Sequence, residues 1–175
     1  MHFGTHEIDR SKSNDYPVVA SSTQVGKGSL TTTNVVSVQD DRSKAKLDGW
    51  DLQVLQTDFT NMGAAGGVGA DPTDILTGTQ VVFKTGSSAI TQTNSAGVAN
   101  FGAAEIAVNT APATFMSGDA TAYGSIKATL GTGIGEDAIN LRVPGAVNPT
   151  EAVHYQSELT WSLVAETGQS SRHTD

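Results

Sequence analysis

Two Trp-x-Leu triplets, Trp50-Asp51-Leu52 and Trp161-Ser162-Leu163, contain both tryptophans of this 175-residue chain. A Trp and a Leu two positions apart project from the same face of a strand, so each triplet presents a large apolar wedge with Asp51 or Ser162 on the opposite face. The chemistry on offer is non-covalent: a broad indole surface, an N–H that needs an acceptor, and an aliphatic neighbour. Two placements are open. The four side chains are ordinary core, or the two strands lie close and join Trp50 and Trp161 into one aromatic platform for a sugar or a partner protein. Both hold if the rings underpin a surface formed by Asp51, Ser162 and their neighbours.

Other reactive combinations are weaker. In Asp40-Asp41-Arg42 the charges form a solvated loop cluster, or one carboxylate grips Arg42 in a fork that fixes the chain ahead of Trp50. Arg42, Lys44 and Lys46 make a small basic patch, flanked by Asp40, Asp41 and Asp48, which reads as a mixed turn rather than an anion site. The acidic residues near glycine-rich loops, among them Asp71, Asp74, Asp119 and Asp137, have no EF-hand spacing, and no metal or other cofactor is expected. His2, His6, His154 and His173 lack zinc-ligand spacing. Gly67-Val68-Gly69 and Gly131-Thr132-Gly133 lack the Lys-Ser/Thr ending of a phosphate loop and read as turns. There is no G-x-S-x-G, and the absence of cysteine excludes thiolate metal sites and a cysteine nucleophile. No catalytic residue is assigned, and the chain is expected not to be an enzyme.

These residues need elements to hold them. Gly, Thr, Ser, Val and Ala dominate while Lys, Glu and Leu are scarce, the reverse of what helices favour. The strongest strand runs from about Val153 to Ala165, where Tyr155, Leu159, Trp161 and Leu163 alternate with Gln156, Glu158, Thr160 and Ser162. Trp50 to Thr57 alternates similarly until Leu55. Further strands are expected at Val35–Gln39, Thr79–Lys84, Ile126–Leu130 and Ile139–Val143, with weaker ones at Tyr16–Ala20, Val98–Phe101 and Glu105–Val108. Six to nine such strands predict an all-β fold, a single-domain β-sandwich or partly closed barrel with Gly-rich loops. Loose loops are expected at Met62–Pro72, Thr110–Gly124 and Gly131–Asp137. No apolar stretch approaches the ~20 residues of a membrane-spanning helix, so no membrane insertion is expected. The formal charge of -8 and pI near 4.8 argue against nucleic acid as a partner.

The blocks around the triplets resemble a known family. Tyr155-Gln156-Ser157-Glu158-Leu159-Thr160-Trp161-Ser162-Leu163 is similar to the Y-x-x-x-L-T-W-x-L ending of WxL domains, and Val38-Gln39-Asp40-Asp41-Arg42 followed by Gly49-Trp50-Asp51-Leu52 is similar to their V-x-D-x-R and G-W-x-L. Leu76-Thr77-Gly78-Thr79 and Leu141-Arg142-Val143-Pro144 sit where similar segments belong, and Phe3-Gly4-Thr5-His6 looks like the family's first strand. The resemblance implies a domain over residues 1–168 with a polar tail at 169–175. It implies a surface protein of low-GC Gram-positive bacteria, outside the cell at the wall, attached non-covalently to peptidoglycan and working with companion cell-surface proteins. The residues it points to for ligand or partner binding are Trp50, Asp51, Leu52, Trp161, Ser162 and Leu163, supported by Asp40, Arg42 and Tyr155. No basic region followed by an apolar run precedes Met1-His2-Phe3-Gly4, so a mature domain or excised module is expected, with export inferred from the resemblance. The alternative is a docking module for a companion membrane-anchored protein, with wall attachment indirect. A wall hydrolase is the rival from another class, and nothing in the sequence favours it.

Overall fold

Residues branched at Cβ fit a pleated surface better than a helix, and wherever they alternate with polar neighbours the chain is extended. The computed structural model describes residues 1, 3–18, 34–42, 48–64, 66–93, 97–131 and 138–165. Among these residues the regular structure is all strand. In chain order the strands are β1 (Asn14–Pro17), β2 (Asn34–Asp40), β3 (Trp50–Gln56), β4 (Thr60–Asn61), β5 (Asp71–Ile75), β6 (Gln80–Lys84) and β7 (Ala89–Thr93). They continue with β8 (Ala99–Phe101), β9 (Glu105–Ala107), β10 (Ala113–Gly118), β11 (Gly124–Leu130), β12 (Ile139–Val143), β13 (Tyr155–Gln156) and β14 (Leu159–Ala165).

They assemble into four sheets, ordered β1-β12-β6-β9, β14-β3-β10-β8, β2-β11-β7 and β13-β4-β5. Every pairing is antiparallel. None of the sheets closes on itself among the described residues, so of the two expected architectures the sandwich is the one formed. The inner faces of the two four-stranded sheets meet ring to ring: Phe83 of β6 lies 5.3 Å from Phe115 of β10 and 5.9 Å from Trp161 of β14. The sheet β2-β11-β7 adds Val38, Ile126, Ala128 and Leu130 to the same buried cluster. One polar side chain crosses between the main sheets. Gln56, buried at the end of β3, donates to the Thr79 carbonyl at 2.7 Å and accepts from the Val81 N–H at 2.8 Å, so its amide stands in for a strand at the head of β6.

The expected strands at Trp50–Thr57, Val35–Gln39, Thr79–Lys84, Ile126–Leu130 and Ile139–Val143 appear as β3, β2, β6, β11 and β12. Other expectations are corrected. The loose region at Thr110–Gly124 contains β10, whose Phe115 and Met116 are both fully buried. A bulge between Thr114 and Met116 inserts Phe115 as an extra residue, so two consecutive side chains point inward and the alternation is lost to the eye. Phe3-Gly4-Thr5-His6 is not a strand, because Gly4 has a φ of 85°. Phe3 still packs on the core, and the first strand is β1. The run Val153–Ala165 is two strands, β13 and β14. Between them Ser157 donates to the Thr57 carbonyl and the Glu158 N–H to the Thr57 hydroxyl, which passes the chain from one sheet to another. Among the described residues fourteen strands replace six to nine: β4 and β13 are two residues long, and β5 carries Pro72, tolerated on the edge strand of its sheet. The Gly-rich turn after Asn61 is as expected: Gly63, Gly66, Gly67 and Gly69 all have positive φ. Residues 19–20, 132–137 and 169–175, together with His2, Lys44 and Lys46, lie outside the described residues.

Candidate functional site

Strands β3 and β14 pair along their whole length, with Trp161 opposite Val54, Leu163 opposite Leu52 and Ala165 opposite Trp50. Residues directly opposite point to the same side. Trp50, Leu52, Trp161 and Leu163 therefore share the inner face, while Asp51, Ser162 and Val164 share the outer one, as the spacing within each triplet requires. Burial divides the inner set. Trp50 and Leu52 are buried, Trp161 is half-buried, and Leu163 is 53% exposed because β14 is the outermost strand of its sheet.

The two tryptophans occupy different stations on that face. Their register differs by four residues, about 13 Å along the strand at 3.3 Å per residue. Trp161 belongs to an aromatic cluster, 5.1 Å from Phe115 edge to face, and Phe115 in turn meets Phe101 at 5.8 Å. Trp50 lies over Gly118, its cross-strand partner, so closely that a Cβ at Gly118 would overlap the indole. Its ring N–H donates to the Ala122 carbonyl at 2.8 Å. The buried indole is thus satisfied by main chain, and a strand position with no side chain makes room for it.

The strand ends carry a second feature. Asp40, at the end of β2, grips Arg42 with both carboxylate oxygens, at 2.9 and 2.7 Å, and accepts the Arg42 main-chain N–H at 3.1 Å. Arg42 reaches on to the Asp48 carbonyl at 3.0 Å, tying the two ends of the loop that leads into Trp50. Of the two arrangements open for Asp40-Asp41-Arg42, the fork is therefore formed by Asp40, while exposed Asp41 accepts from Gln39. The guanidinium beside Asp40 holds its carboxyl below the ordinary value of 3.8, against the opposing effect of burial.

Between this fork and the end of β14 lies an open groove of about 440 Å³, lined by Gln39, Asp40, Asp41, Arg42, Trp50, Leu163 and Ala165. Four of the residues singled out in the sequence, Asp40, Arg42, Trp50 and Leu163, meet in it, although they come from opposite ends of the chain. Asp51 and Ser162 lie on the other face of the same strands, and Leu52 and Trp161 lie one and two inner-face positions further along the sheet. Tyr155 belongs elsewhere. It sits before the far end of β14 and donates to Asp74 at 2.7 Å, whose same oxygen accepts from Thr150 and Asn61. These three donors lower the Asp74 pKa, Tyr155 first. The cluster locks the small sheet β13-β4-β5 to the loop at Thr150.

Sequence reasoning passed over Gln56 and Gly118, and weighed Asp74 only as a loop carboxylate for a metal. Gln56 continues the inner-face series Trp50, Leu52, Val54, and a polar residue ending an apolar alternation was the available signal. Gly118 carried none, and neither did the role of Asp74 as acceptor for Tyr155, Thr150 and Asn61, because the partners are remote in the chain. A family model described as "WxL domain surface cell wall-binding" matches residues 1–166. Searches of curated proteins and of solved structures returned no match.

Proposed function

The chain belongs to the WxL family of surface cell wall-binding domains, and from that membership we propose that it attaches non-covalently to peptidoglycan, without catalysing a reaction, through the groove at the joined ends of β2, β3 and β14. The observation that carries this reading is the groove's lining. Asp40 and Arg42 come from the first motif block, Leu163 from the last, and Trp50 forms the floor. Such a surface suits a neutral saccharide or short peptide: Leu163 and Ala165 offer apolar contact, and Gln39 and Asp41, exposed and hydrogen-bonded to each other through the Gln39 Nε2 and Asp41 Oδ1, offer the amide oxygen and the second carboxylate oxygen as acceptors. The Asp40–Arg42 fork acts as a support, since both partners are already engaged with each other and with the Asp48 carbonyl. Leu52 and Trp161 support the face from beneath, and Asp51 and Ser162, on the opposite face of the same strands, lie outside the groove.

The test is sedimentation with purified, protein-free sacculi. Wild-type protein is expected to pellet with them, and Leu163→Asp, at an exposed position, to keep its thermal melt and lose roughly tenfold or more in affinity, the effect of about 1.4 kcal/mol. If wild-type protein pellets only with walls that retain their proteins, the rival holds, in which the domain docks on a companion membrane-anchored protein and reaches the wall indirectly.

A further inference from the structure

Strand β14 ends its sheet, and nothing among the described residues pairs with its outer side. Which main-chain groups face that side follows from the ladder. The Thr57 N–H donates to the Glu158 carbonyl at 3.0 Å, so Glu158 and every second residue after it direct N–H and C=O toward β3. Leu159, Trp161, Leu163 and Ala165 therefore direct theirs outward. Natural sheet edges are usually guarded by a Lys, a Pro, a bulge or a shortened strand. This strand is seven residues long, holds no charge, no Pro and no Gly, and pairs with β3 without a break in register. Leu163 on one face and Val164 on the other are 53% and 44% exposed.

We propose that β14 pairs antiparallel with β14 of a second copy of this chain, about a two-fold axis through Ser162, making one continuous sheet from two four-stranded ones. This goes beyond the wall-binding reading and uses the same edge: the pairing covers Leu163 and Ala165, which also line the groove, so the dimer and the wall-bound domain are alternative states. The choice of a second copy rests on self-complementarity. With the axis at Ser162 the whole strand overlaps, and all four outward-facing residues fall in hydrogen-bonded pairs, Leu159 with Ala165 and Trp161 with Leu163. The exposed Leu163 of each copy then covers the half-buried Trp161 of the other. On the opposite face Thr160 meets Val164, and no pair opposes like charges. An axis through Trp161 or Leu163 instead leaves strand ends unpaired and sets identical large side chains against each other. The two-fold is the usual symmetry for such an isologous contact.

Ser162 faces its own copy across the axis in a non-hydrogen-bonded pair, where opposing Cα atoms approach to about 4.5 Å, and its side chain is exposed. Sedimentation velocity on the full chain from about 1 μM to about 1 mM spans the range in which a small interface half-forms. Wild-type protein is expected to shift from monomer to dimer across the series. Ser162→Asp and Ser162→Lys, each folded by circular dichroism, should self-associate at least tenfold more weakly, and an equimolar mixture of the two should recover the dimer. A wild-type chain that stays monomeric throughout overturns the proposal, as does a dimer indifferent to both substitutions or a mixture that fails to recover. The readout is mass in the absence of wall, so a failure here and a failure to bind sacculi are separate results.

Discussion

Trp50 and Trp161 share a triplet and a sheet face, yet their environments assign them different work. Trp50 is enclosed, with its N–H on the Ala122 carbonyl and its ring over Gly118. Trp161 is half-buried and holds Phe83 and Phe115 at aromatic distances. Complete loss of a buried Phe or Trp costs about 3 to 5 kcal/mol. A half-buried ring with two aromatic partners contributes less, so Trp161→Ala is expected to destabilise the fold by about 2 to 4 kcal/mol. Urea unfolding followed at the Trp50 emission measures it. An unchanged midpoint together with lost wall binding would make Trp161 a ligand contact rather than a support.

At the scale of elements, the first sheet is tied across its outer face by charge. Arg142 of β12 takes Asp15 of β1 at 2.9 and 3.0 Å and Glu105 of β9 at 2.6 Å, while Lys84 of β6 approaches Asp15 at 3.5 Å. All four strands of the sheet contribute. Hydrogen bonds from Arg142 are the main cause that lowers both carboxyl pKa values, from 4.5 for Glu105 and 3.8 for Asp15, and those bonds raise the Arg142 pKa. Folded-state values below unfolded ones mean that the network stabilises the fold above the unfolded pKa values and that this contribution disappears as the pH falls through the folded ones. The loss should begin near 4.5 with Glu105 and continue below 3.8 with Asp15. These groups are partly exposed, so solvent screens the effect. Melting temperatures recorded from pH 7 down to about pH 2 should fall through that window in wild-type protein and fall less steeply in Arg142→Met. Parallel curves would deny the network any part in acid sensitivity.

For the whole molecule the decisive quantity is net charge. At -8 the chain carries a charge that an anionic wall polymer would repel, and Arg42, the described member of the basic patch, is already engaged by Asp40. Lengthening the salt series from 0.1 M to 1 M shortens the Debye length from about 10 Å to about 3 Å, which relieves that repulsion and leaves short-range contact intact. Attachment to protein-free sacculi should therefore hold steady or strengthen as salt rises. Binding that collapses at high salt, and is lost in a Lys44→Ala, Lys46→Ala variant that keeps the Asp40–Arg42 fork, would move the site from the groove to the basic loop.

What the sequence by itself determined was local. Period-two alternation specified β3 and the run that contains β14, because strand side chains read out burial one residue at a time, and β-branched and apolar runs between turn residues specified β2, β6, β11, β12 and the all-β class. The triplet spacing likewise specified that each Trp and Leu share a face. The family resemblance was also legible, since it rests on short contiguous blocks. Tertiary structure decided the rest. Alternation cannot register a bulge, so β10 was hidden behind consecutive Phe115 and Met116. It cannot tell an outermost strand from an inner one either, so the burial of Leu52 and the exposure of Leu163, opposite each other and of one residue type, depend on strand order alone. The groove arises for the same reason. Asp40, Trp50 and Leu163 become neighbours only when β14 closes against β3, and pairing between distant segments leaves no trace in either segment's own pattern.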